Sequence, residues 1–118
     1  MTPEEAEHLC DLFAGFGGIT LRAMFGGHGV YRDGTIFAIV IDGDVYLKVD
    51  ADSRAIFEVA GCAPFVYSMR GRDLPLSYWS VPAEAMESAE TMQPWAELAW
   101  AAALRKRASA RLRAKRRR

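Results

Sequence analysis

The stretch LRAMFGGHGVYRDGTIFAIVIDGDVYLKVD, residues 21–50, decides the fold. Two Asp-Gly pairs, Asp33-Gly34 and Asp42-Gly43, divide it. Asp-Gly is a strong hairpin signal, because both turn positions need a left-handed backbone that Asp tolerates and Gly adopts freely. Between the turns, residues 35–41 are β-branched or aromatic except for Ala38. Their continuous apolarity predicts a strand covered on both faces, hence a central one. Residues 45–49 alternate, with Val45, Leu47 and Val49 inward. Upstream, Leu21, Ala23 and Phe25 alternate with Arg22 and Met24, and residues 30–32 form the strand that enters the first turn. The stretch therefore predicts a four-stranded antiparallel meander.

Helices flank it. Thr2-Pro3-Glu4-Glu5 predicts a capped helix start, with Leu9, Leu12, Phe13 and Phe16 as its apolar face and Gly15, Gly17 and Gly18 as its stop. After the meander, Asp50 or Asp52 caps a helix that buries Ile56, Phe57 and Ala60 and ends at Gly61. Residues 65–67 and 76–81 read as two further strands joined by a turn at Gly71-Arg72-Asp73, and Pro75 predicts an edge position for the start of the second. Pro82 opens a short acidic helix. A longer one begins near residues 91–94 and carries Trp95, Leu98, Ala99 and Ala102 on one side, with Trp100 and Leu104 on the next. The class is α+β: an antiparallel sheet, the meander plus two strands, with helices packed on it.

At 118 residues and 13.1 kDa, 51% hydrophobic and 25% charged, the chain is one domain of ordinary globular composition. That size excludes a multidomain enzyme and a doubly wound cofactor scaffold. The formal charge of zero conceals a strong polarity. Residues 1–104 hold all fifteen acidic residues and six basic ones, a net −9. Residues 105–118 hold nine Lys and Arg and no acid, a net +9. The division predicted is a folded domain over 1–104 and a basic tail over 105–118, the tail being either a helix extension or a disordered arm. Cys10 and Cys62 belong to no CxxC pair and read as reduced, partly buried thiols. The acidic start lacks the apolar segment of a signal peptide, and the longest apolar run, 36–41, is far below the ~20 residues that span a bilayer. These features predict a cytoplasmic protein with no membrane contact.

No catalytic, cofactor-binding or metal-binding set emerges. His28 has only His8 as a second histidine and reads as structural. Gly26-Gly27-His28-Gly29 leads into a strand rather than a helix N-terminus, so it reads as a tight connection or bulge instead of a phosphate loop. Arg22, Arg32 and Lys48 could share the exposed sheet face as a small basic patch, or be ordinary solvated strand charges. Trp79, Trp95, Trp100, Tyr67 and Tyr78 lack interleaved cations and read as core or dimer contacts. The nucleic-acid candidates are Arg105, Lys106, Arg107, Arg111, Arg113, Lys115, Arg116, Arg117 and Arg118, which spread all round a helix and suit phosphate contact without sequence reading.

The run Arg22-Ala23-Met24-Phe25-Gly26-Gly27, followed by His28-Gly29-Val30-Tyr31, Asp33-Gly34, Phe37-Ala38 and Val45-Tyr46-Leu47-Lys48-Val49-Asp50, resembles the N-terminal domain of the TfoX/Sxy competence-regulator family. Tyr78-Trp79, Val81-Pro82 and Trp95 continue the pattern over roughly residues 5–103. Its motif positions here are Arg22, Met24, Phe25, Gly26, Gly27, Tyr46, Leu47 and Lys48. The resemblance implies a compact α+β domain of a non-enzymatic family linked to activation of DNA-uptake genes together with a cyclic-AMP-responsive activator. Full-length members carry a helical C-terminal domain where this sequence has the basic tail. The function expected is a regulatory or adaptor protein working through protein and weak DNA contacts. The alternative is a small protein- or ligand-binding module with no nucleic-acid role. A protein partner is expected, and a homodimer is compatible with the aromatic content.

Because the apolar periodicity ends near Leu104, a chain terminated there is expected to melt cooperatively within about 5 °C of the full chain. Loss of the cooperative transition in differential scanning calorimetry would refute the boundary.

Overall fold

A computed structural model describes residues 1–24 and 26–116. Helix α1 (Pro3–Leu12) starts as its sequence directs: Thr2 Oγ1 accepts the Glu5 N–H at 3.1 Å, and Glu5 Oε2 accepts the Thr2 N–H at 3.2 Å. This reciprocal cap satisfies two donors that no helical carbonyl reaches. The helix stops at Leu12, ahead of the glycines. A 3₁₀ turn, Ala14–Phe16, follows, and Gly17 leaves it with φ +79°. Gly15 lies inside that turn, where the Gln93 side-chain amide occupies the space a Cβ would need.

The remaining elements are β1 (Thr20–Met24), β2 (Gly27–Arg32), β3 (Thr35–Ile41), β4 (Asp44–Lys48), α2 (Arg54–Val59), β5 (Pro64–Met69), β6 (Arg72–Ser80), a 3₁₀ turn (Ala83–Met86) and α3 (Ala89–Arg116). They form a six-stranded antiparallel sheet in the order β1-β2-β3-β4-β6-β5, so the fold is α+β and begins with the expected meander. Both Asp-Gly turns take the left-handed backbone: Asp33 has φ 47° and Gly34 77°, Asp42 50° and Gly43 83°. The β5–β6 hairpin turns at Arg70-Gly71, with φ 52° and 76°, one position ahead of the expected turn. Strand β6 is not an edge strand, because β4 pairs with it at Tyr78, Trp79 and Ser80 while β5 lies on its other side. Pro75 sits in the part of β6 that overhangs β4, where one side of the strand is open.

Helices cover one face of the sheet. Between Val30 and Tyr31 the β2–β3 register shifts, which leaves Phe37 as an extra residue on β3. The bulge turns Phe37 and Ala38 toward the same side, where both are fully buried. Phe37 meets Phe13 at 5.4 Å, Phe16 at 5.3 Å and Trp100 at 6.0 Å between ring centroids, tilted or edge-on. Beside this cluster, Phe57 of α2 packs on Trp95 at 5.1 Å. Helix α3 buries Ala96, Ala99, Ala102 and Ala103, small side chains that let its backbone approach the strands closely.

The other face carries no helix among the described residues, so β3 is not sandwiched as its apolarity suggested. Ile39 is buried there all the same. A hollow of about 370 Å³ explains how: it is lined by Met24 of β1, by Ile39 and Ile41 of β3, and by Phe65 and Tyr67 of β5. Five strand spacings would hold the edge strands about 24 Å apart in a flat sheet. Both edges line one small hollow, so the sheet curls around Ile39. Met24 faces this side and is 41% exposed, which places it outside the core. Phe25 lies outside the described residues.

Gly26 takes φ +67°, and Gly27 approaches β3 so closely that a Cβ would collide with the Val40 carbonyl oxygen. The constraint at Gly27 is therefore contact, not a positive φ. Gly27→Val is expected to destabilise the domain by about 1–3 kcal/mol in urea unfolding. An unchanged midpoint would refute this architectural role.

Candidate functional site

The buried alanines of α3 fix where its basic end goes. The helix continues without a break from the core past Leu104 to Arg116. Its first exposed turn is tied down by Asp50, whose Oδ1 accepts the N–H groups of Asp52 and Ser53, each at 3.2 Å, while its carbonyl accepts the Arg54 N–H at 2.9 Å. Asp50 thus organises the turn before α2 but is not the helix cap: neither it nor Asp52 holds the cap position, which falls to Ser53, whose side chain caps no helical N–H. Its outer edge receives Arg105: Nε reaches Oδ2 at 2.6 Å and Nη2 reaches Oδ1 at 2.9 Å, a bidentate pair. Arg105 Nε also lies 3.3 Å from Asp52. Arg107 donates to Thr35 Oγ1 at 3.0 Å. The Arg105 guanidinium holds the Asp50 carboxyl below the usual carboxylate range, against the opposing effect of partial burial.

The candidate tail is therefore a helix extension whose first turn is docked on the body. Arg105 and Arg107 are engaged. Lys106, Arg111, Arg113, Lys115 and Arg116 are exposed and have no carboxylate within 4 Å among the described residues. Arg117 and Arg118 lie outside the described residues. The arrangement can hold several anionic oxygens along a rod of fixed direction, but it presents no shaped pocket for a base edge.

Arg22, Arg32 and Lys48 do not form a patch. Arg22 lies on the uncovered face, 4.8 Å from the Tyr31 ring centroid. Arg32 points to the helical side, where it stacks on Phe16 at 4.6 Å and Trp100 at 5.0 Å. Strand β3 separates Arg32 from Lys48. Lys48 is buried beneath the basic end of α3, a position its alternation did not reveal. Of the other motif residues, Tyr46 packs on Phe65 at 4.9 Å and Leu47 is fully buried in the core.

His28 shares a shallow hollow with Glu5 and Asp42, two carboxylates remote from it in sequence. No group of three His, Cys, Asp or Glu residues placed to hold a metal occurs among the described residues. Cys10 is exposed rather than partly buried. Cys62 is half-buried, and burial with the nearby Glu84 charge pushes its thiol up. Trp79, Trp95 and Trp100 belong to the core or its margin, whereas Tyr67 lines the uncovered face. No helix among the described residues is long and apolar enough to cross a membrane.

These features define an α+β domain with helices on one sheet face, a curled second face and a cationic helical end. Residues 11–103 match the TfoX N-terminal domain, and the chain belongs to that family. A relative, the DNA transformation protein TfoX1 of Aliivibrio fischeri, is 31% identical over 81 residues. That similarity covers 65% of this chain and 39% of the relative, so the chain spans about two fifths of the relative's length.

The folded-state shift of Asp50 sets a pH test. Its lowered pKa contributes stability above the unfolded carboxylate value, about 3.9, and that contribution disappears as the pH falls through the folded value. Arg105→Ala is expected to cost no more than about 1 kcal/mol at neutral pH, because the pair is partly exposed. The difference from the native chain should close as acid protonates Asp50. A pH-independent difference in urea midpoints would contradict the pair.

Proposed function

We propose that the chain is a regulatory or adaptor domain of the TfoX N-terminal kind, serving competence for DNA transformation through a protein partner. The basic end of α3 adds weak, sequence-independent contact with nucleic-acid phosphates. Family membership and the DNA-transformation relative support the regulatory reading. The observation that carries the phosphate reading is the continuity of α3, which holds Arg111, Arg113, Lys115 and Arg116 clear of an acidic body. That body repels a duplex, so contact is confined to the projecting helix and stays weak.

The second reading is a binding module with no nucleic-acid role. The apolar hollow between Met24, Phe65 and Tyr67 favours it, because such a concave surface accepts a partner side chain or a small apolar ligand.

Fluorescence anisotropy on two unrelated duplexes separates the readings. With about four to six phosphates engaged, log affinity should fall with log salt at a slope of roughly −4 to −5, equally for both sequences. The variant R111Q/R113Q/K115Q/R116Q should lose most of this binding and flatten the slope. Undiminished binding by the variant would remove the phosphate role from the helix end. No binding by the native chain at low salt would favour the second reading.

A further inference from the structure

Among the described residues, Lys48 is the one charged residue that is buried, with 4% exposure. Its Nζ donates to Ser77 Oγ at 2.5 Å and lies 5.1 Å from the Tyr78 ring centroid. An ammonium has three N–H donors, so one acceptor and a ring face leave it incompletely satisfied. No carboxylate lies within 4 Å of it among the described residues.

Above Lys48, α3 presents Ala102, Arg105, Lys106 and Ser109, which follow one helical face. The close approach at Ala102 places Lys106 on the rim of the same hollow as Lys48. The Asp50 carboxylate shares the hollow, but both its oxygens are taken by Arg105. Two cations that line one hollow, one of them away from water, repel each other. An anion seated between them reverses the sign of that interaction, and the hollow, about 460 Å³, opens onto both.

We propose that Lys48 and Lys106, with the hydroxyls of Ser77 and Ser109, bind a small phosphoryl dianion: inorganic phosphate or the terminal group of a phosphomonoester. Lys48 is recessed beneath the helix and accepts an end group with three free oxygens. A backbone phosphodiester, substituted on both sides and singly charged, fits it poorly. The site is separate from the duplex contact assigned above to Arg111, Arg113, Lys115 and Arg116. The repulsion itself accords with this: burial and the neighbouring Lys106 charge push the Lys48 amine down to about 8, with Asp50 opposing.

The test is calorimetric titration of the full chain with inorganic phosphate at neutral pH, against chloride of matched ionic strength. One saturable site is expected. Lys106→Ala, a change at an exposed position, should weaken it about tenfold or more. Lys48→Met should lose it while still melting cooperatively. Sulfate provides a second readout, because it stays a dianion when phosphate titrates. Its affinity should fall as pH rises through about 8, where Lys48 loses its charge. The other groups facing Lys48 are Lys106 and Arg105 from α3, Asp50 and Asp52 from the turn before α2, and Tyr78 of β6, whose phenol burial pushes up to about 12. Should Lys48→Met fail to fold, Lys106→Ala still decides. Equal phosphate affinity in Lys106→Ala and the native chain would overturn the proposal, as would no saturable heat beyond that of chloride. So would loss of duplex affinity in Lys106→Ala with no phosphate binding by the native chain, since the lysines would then serve backbone phosphates.

Discussion

The structure depends on the contact between the alanine face of α3 and the sheet. Ala96, Ala99, Ala102 and Ala103 are all buried, and α3 is the element that closes the aromatic cluster through Trp100 and covers Phe57 through Trp95. Small side chains set the height of the helix above the strands, and interior packing tolerates little change in that height. The same contact fixes the direction in which the helix leaves the body. Arg105 reaches Asp50, Arg107 reaches Thr35 and Lys106 shares a hollow with Lys48 because the preceding turns are already seated. A single packing interaction thus links the core to the basic groups of α3 and to Lys48 beside them.

One-sided helical cover has a second consequence. An apolar strand such as β3 needs both faces shielded, and only one receives helices. The sheet answers by curling, so that residues from β1 and β5 approach over Ile39. The result is an apolar concavity on one side and a helix-covered side with a cationic extension on the other. This separation of surfaces accords with the partner and anion contacts proposed above.

Much of this was legible in residues 2–5 and 21–50. Asp-Gly pairs with an obligatory backbone, the capping box at Thr2 and Glu5, and the alternation of Val45, Leu47 and Val49 act over a few positions, so their consequences follow locally. Family membership was legible in residues 21–50. The bulge at Phe37 was not, because one added residue on a wholly apolar strand leaves no mark on its pattern. Asp50 read as a cap of α2, whereas the cap position is Ser53, and the arginine that Asp50 holds lies 55 positions away. Lys48 read as a solvated strand charge, since nothing near it in sequence announces a helix overhead. Arg32 was misplaced for a similar reason: its cation–π partners, Phe16 and Trp100, come from two helical segments on the opposite face. Contacts between distant elements depend on register and helix height, which residue type alone does not encode.

Native-state amide hydrogen exchange along α3 tests the central claim most directly. If the alanine contact seats the helix and its first basic turn, protection should run from Trp95, just after Pro94, across Leu104 through Arg107. It should then decline toward Arg116, where no tertiary contact adds to helix formation. Amides of Arg105, Lys106 and Arg107 exchanging at the rate of an unstructured peptide, beside a protected Ala99, would contradict the account.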